Sequence, residues 1–363
     1  MASSRSKCED SDQKVEQNGE ADNNQEAVEE PEEDNDEREN DTRAGQKRKE
    51  PPTNASQEHS TKSQRHDENG EKDNEKEKGK DSPSSPTSSS SSSKATPKQL
   101  LNFLLSGKSL PYCFPDEELE AGKSSGKYKS YSQSSPTSLT AFEHLICAHL
   151  LSKPLSHVLG MRSIRTLLNE PFELCSAEAV VKAGEQRVWE ALEAARTQHR
   201  QKTAKYIYET GQAYSDSETM YDLSEEANES GSHGVVQHIK STVPGLGVVG
   251  GEIFCRRIQC VDGWGDALWP FADQKALDAL RQIGVPVKDA DDLQSAIERE
   301  VDWTLVGDMG LTGSDSKGSQ IELSGEAEET QVQAEFVIVL ERAIGCVLEG
   351  KVEELNKAAA RLK

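Results

Sequence analysis

Apolar residues after residue 95 recur every three or four positions, and they almost never alternate with the period of two that a strand requires. Leu100, Leu101, Phe103, Leu104 and Leu105 follow Thr96-Pro97 and predict a short helix over 99–106 that needs a covering partner. Phe142, Leu145, Ile146, His149 and Leu150 share one face behind a cap at Ser138 or Thr140. Pro154 breaks that pattern before a second helix, Val158 to Leu168. Ser176 and Gly184 each open a short helix, the second turning Val188, Trp189 and Leu192 inward, and His199 to Tyr208 forms another. Val235–Thr242 and Gly250–Gln259 flank a tight turn, and helices follow over 274–283, 289–301, 331–348 and 351–362. The stretches 107–137, 215–233 and 307–330 are rich in Ser, Gly and charge, and read as loops, the second as a surface loop or a frayed insertion. About ten helices and no sheet make an all-α fold.

The pattern fails before residue 96. Residues 1–95 contain almost no Leu, Ile, Phe, Tyr or Trp, and carry 25 acidic and 15 basic side chains. Such a segment cannot bury enough apolar surface to offset its ordering entropy, so a disordered tail is expected. The organisation that follows is a tail (1–95), a short helix and loop (96–137), a helical core (138–305), a flexible loop (306–330) and C-terminal helices packing on the core (331–363).

A net charge of −23 excludes a broad basic surface, so any nucleic-acid contact must be local and must use backbone amides. No apolar run approaches the length of a membrane span, and the polar first residues do not resemble a secretory signal. Seven scattered cysteines without CxxC spacing suit buried thiols rather than zinc or an iron–sulfur cluster, and no metal or cofactor is expected. Lys47-Arg48-Lys49 fits either a nuclear import signal or solvated charge.

Val243-Pro244-Gly245-Leu246-Gly247-Val248-Val249 is a helix–helix turn whose glycines let another backbone or a phosphate come close. The helix behind it starts with free amides and a positive dipole end. Asp273 then stands at a helix start, where it caps, or caps and also serves chemistry. Arg196, His199, Arg200, Lys202 and Lys205 form the basic cluster of the core, either a solvated face or a strip for phosphates. Trp264 and Trp269 are core residues or platforms for a base.

Taken together, Val243 to Gly247, Ala272-Asp273, the phrase Leu280-Arg281-Gln282-Ile283-Gly284 and the segments at 142–151, 183–189 and 200–204 resemble the helix-hairpin-helix DNA glycosylase superfamily (endonuclease III-like) across about residues 138–285. The resemblance implies a two-part helical fold with duplex DNA across a cleft. The backbone of Gly245, Leu246, Gly247, Val248 and Val249 would hold a phosphate; on the phosphate-strip reading of the basic cluster, Arg200 and Lys202 are further DNA contacts. Asp273 would stabilise the sugar as a flipped, damaged base leaves, or steer the attacking water. Val249 stands where strand-cutting members have lysine, and the family's four-cysteine cluster is missing, so the expected activity is monofunctional base excision, in a nuclear monomer. The rival reading is a catalytically silent helix-hairpin-helix module that binds DNA or protein.

Overall fold

The structure, a computed structural model, describes residues 94–123, 128–311 and 326–363, and every regular element among them is a helix. The tail expected over 1–95 lies outside the described residues except for its last two, as does most of the loop expected over 306–330.

Helix α1 (Pro97–Leu105) begins at Thr96, whose hydroxyl accepts from the Gln99 amide while the Gln99 side chain accepts from the Thr96 amide. This reciprocal cap satisfies two donors that a helix start leaves open. Over 107–137 the expectation of a loop is corrected. The chain forms α2 (Leu110–Cys113) and α3 (Asp116–Gly122), and Ser130 to Ser135 are buried. Ion pairs rather than an apolar stripe anchor α3. Buried Glu118 accepts from Ser130 Oγ at 2.7 Å and from Arg165 Nη1 at 2.8 Å, and Glu117 accepts from Arg162 Nε at 2.7 Å.

Helix α4 (Ala141–Leu151) carries the same cap built from Thr140 and Glu143, and α5 (His157–Leu168) follows the Pro154 break. Helix α6 (Ala177–Ala194) is interrupted at Gly184, as two short helices predict, and α7 (Arg200–Ala213) packs against it. A second correction concerns 215–233, where the chain is helical. Helix α8 (Ser217–Thr242) runs through most of it with a break at Gly231, held down by buried Leu223 and Ala227 one turn apart. So few buried apolar positions over so long a stretch do not read as a stripe. The remaining helices are α9 (Val248–Ile258), α10 (Gly265–Leu268), α11 (Gln274–Ile283), α12 (Ala290–Glu300), α13 (Trp303–Val306), α14 (Glu326–Leu348) and α15 (Val352–Ala359).

Two groups of helices emerge from the packing. In the first, formed from α4 to α10, α9 lies between α4 and α8. In the second, α1, α2, α11, α12 and α15 gather around α14, which is buried along most of its described length. Buried Arg342 joins α14 to the end of α1 by donating to the carbonyls of Leu104 and Leu105 at 2.7 Å and of Ser106 at 3.1 Å. Those carbonyls end a helix, and Ser109 shares the work by donating to Leu104 O and Ser106 O. A crevice between the groups is lined by Tyr131, His157, Ile253, Arg256, Lys275 and Glu341.

Candidate nucleic-acid interface and carboxylate site

Helix α8 ends when the Val243 amide bonds back to Ile239, and the Leu246 amide then closes a tight turn onto Val243 O at 3.2 Å. Gly245 sits at φ +73°, and a Cβ there would collide with the Tyr206 ring. Glycine is therefore required at 245 by backbone and by space.

Gly247 is different. Its φ of −126° suits any residue, and a Cβ on it would meet nothing within 4 Å. Nothing inside the protein demands glycine at this position. A methyl group would instead stand in the open space before the start of α9. The amides of Gly245, Gly247, Val248, Val249 and Gly250 have no acceptor among the described residues, and Val248 and Val249 are exposed. The Leu246 amide is consumed by the turn and its side chain is buried, so among the five backbone positions expected to grip a phosphate Leu246 has no free donor.

From this turn α9 leads inward. Val249, Glu252 and Arg256 fall at i, i+3 and i+7, on one face and about 10 Å apart end to end. Arg256 is buried and donates through Nη1 to Asp273 Oδ2 and through Nε to Glu341 Oε1 at 2.8 Å. Asp273 Oδ1 accepts from the Ala276 amide at 3.0 Å, so Asp273 is the cap of α11 and both of its oxygens are engaged. Gln259 fixes the approach, donating to Phe271 O at 2.8 Å and accepting from Phe271 N at 2.7 Å. Tyr131 Oη donates to Glu341 Oε2 at 2.5 Å, and the Arg257 guanidinium lies 4.0 Å from the Tyr131 ring centre.

Burial alone would raise the Glu341 carboxyl, but the Arg256 and Arg257 charges outweigh it and hold the group below its ordinary range. Burial raises Glu252, and the neighbouring Asp273 charge adds to that shift. Beside the crevice, then, two arginines, Arg256 and Arg257, balance two buried carboxylates, Asp273 and Glu341.

Elsewhere the structure assigns other places to expected residues. Arg200 pairs with Glu193 at 3.1 Å and lies over Trp189, while Lys202 lies over Tyr206 and has no carboxylate partner among the described residues. Trp264 is buried edge-on against Phe254 and Trp269 packs against Phe336, so both tryptophans serve the core rather than a base platform. Arg256, Glu341 and Tyr131 were not singled out by sequence reasoning. The signal for Arg256 and Glu341 was present in Ile253-Phe254-Cys255-Arg256-Arg257-Ile258 and Val339-Leu340-Glu341-Arg342-Ala343-Ile344, where charges interrupt otherwise apolar helix faces.

Among the described residues no helix is long and apolar enough to cross a membrane. Comparison of the chain with protein-family models, with curated proteins and with solved structures returns no match.

Proposed function

We propose that this chain is a DNA-binding protein of the helix-hairpin-helix glycosylase type, which grips one strand of a duplex at the start of α9 and excises a modified base without cutting the strand. The observation that carries this reading is the row of open amides at Gly245 and Gly247–Gly250, in the turn and first residues of the helix that holds Asp273 through Arg256. Amides at a helix start favour a phosphate. Asp273 is held by Arg256, which lines the crevice between the two helix groups and lies about 10 Å along α9 from Val249, about three base steps of B-DNA. Its charge, oriented by Ala276 and Arg256, is suited to stabilising the sugar as the N-glycosidic bond opens. No lysine stands at the head of α9, so water and not an amine would resolve the reaction.

One observation favours the second reading, a DNA-binding module without chemistry. Asp273 already shares its charge with a buried guanidinium, which leaves less field for a cationic sugar. Duplexes carrying uracil, alkylated or oxidised bases, incubated with the protein and with Asp273→Asn and then treated with alkali, separate the two. Strand breaks with the parent and none with the variant establish excision. Binding without breaks in either establishes the silent module, and equal breaks in both remove Asp273 from the mechanism.

A further inference from the structure

A cavity of about 260 Å³ reaches the turn at Gly245. Its apolar wall is Leu150, Leu155 and Leu192, and its polar rim is Lys153, Lys202 and His199, with Tyr206 and Gly245 closing one end. Two ammonium groups converge on it. Lys153 Nζ is 5.4 Å and Lys202 Nζ 5.5 Å from the centre of the same Tyr206 ring.

Neither lysine has a carboxylate partner among the described residues, in a chain with a net charge of −23. On the same helix as Lys202, by contrast, Lys205 is paired with Glu209 and Arg200 with Glu193. The neighbouring cations of α7 are thus neutralised, and the two at the cavity are not. Burial, and then the Lys202 charge, lower the Lys153 ammonium below its ordinary range, as two cations without an anion require. The wall between Leu192 and α7 is also held in an uncommon backbone form, with Arg196 at φ 58° and His199 at φ 56°.

We propose that this cavity is a nucleotide site, with the phosphate on Lys153 and Lys202 and the attached sugar and base against Leu155 and Tyr206. Its size is near the lower end for small-ligand pockets, which suits one nucleotide unit rather than a larger cofactor. The site touches the turn directly, because Lys153 Nζ donates to Gly245 O at 2.7 Å. A phosphate that draws Lys153 toward itself therefore competes with a bond that supports the hairpin. The nucleotide has two sources to be told apart, a free mononucleotide and a unit of the strand held at α9; only the second rests on the function proposed above.

The test uses the full chain and two probes, deoxyadenosine 5′-monophosphate followed by calorimetry and an undamaged duplex followed by fluorescence anisotropy across a salt series. The variants are Lys153→Gln, Lys202→Gln and Leu155→Trp, the last filling the cavity without changing charge. If the source is free nucleotide, the monophosphate binds, deoxyadenosine does not, and each variant weakens binding by about tenfold or more. If the source is the strand, the monophosphate does not bind, Leu155→Trp weakens the duplex, and each lysine variant lowers the salt slope by about one. Failure of both probes to bind the parent overturns the site, and so do variants that leave both probes unchanged. Because Lys202 is exposed, its variant tests the idea even if the Lys153 or Leu155 variant fails to fold. Gly247→Ala keeps this proposal apart from the hairpin reading. If the monophosphate binds while Gly247→Ala leaves duplex affinity unchanged, the cavity stands and the hairpin grip falls.

Discussion

Replacing Gly247 by alanine or serine isolates the phosphate grip from the fold. The added Cβ meets no atom of the protein within 4 Å, and the backbone at φ −126° accepts it without strain. Loss of glycine from the unfolded chain stabilises by about 0.4–1 kcal/mol. Alanine is a poorer helix cap than glycine by a similar amount, so the two terms nearly cancel for Gly247→Ala. Gly247→Ser supplies the capping oxygen that α9 lacks and should stabilise the protein by about 1 kcal/mol, or roughly 2–4 °C in a domain of this size. Both side chains add bulk at the cap position next to the open amides. If one charge-assisted bond from an amide to a phosphate is lost, about 1.5–3 kcal/mol goes with it, a roughly 10- to 150-fold weaker duplex affinity. Anisotropy at low salt reads the affinity and calorimetry reads the melting temperature. Serine should therefore raise stability while lowering affinity. Unchanged affinity in both variants would refute the argument, whatever the melting temperatures.

Two further outcomes follow from the buried charges. Arg256→Met leaves Asp273 and Glu341 buried without their partner and should cost about 3–5 kcal/mol in urea unfolding, with part of it recovered when Glu341→Gln is added. Burial, reinforced by the Lys153 charge, pushes His149 down to about 3 from 6.5, so the folded protein holds it neutral while the unfolded chain takes up a proton as pH falls through 6.5. Its contribution is intact above pH 6.5 and is lost on the way down toward 3. Between about pH 7.5 and 5 the loss should be about 2 kcal/mol, and His149→Gln should flatten that part of the stability profile.

Helix starts were the most legible feature of the sequence, because a cap is a local event. Ser176 and Asp273 cap where the sequence places helix starts, and Thr140 is the one of two alternatives that caps α4, whereas the reciprocal partners Gln99 and Glu143 were not read. Helix α3 was illegible because its hold on the fold comes from Arg162 and Arg165, far along the chain, rather than from its own apolar face. The carboxylate site was half legible. Asp273 announced itself by position, but Glu341, which shares Arg256 with it, comes from α14, and nothing local pairs them. The turn could be read as a turn; which of its amides stay open depended on the Leu246 bond that only the fold supplies.

The first described helix is stitched to α12, to α14 and to the residues after α15. Gln99 Nε2 donates to Leu362 O at 2.9 Å, Asn102 Nδ2 to Glu300 O at 2.8 Å, and Arg342 closes the end of α1. A fragment cut to the motif-bearing stretch alone would consequently leave α11 without α14 and strip Asp273's neighbourhood of Glu341. Anyone trimming this protein for expression should place the upstream cut before Thr96 and keep everything through Leu362.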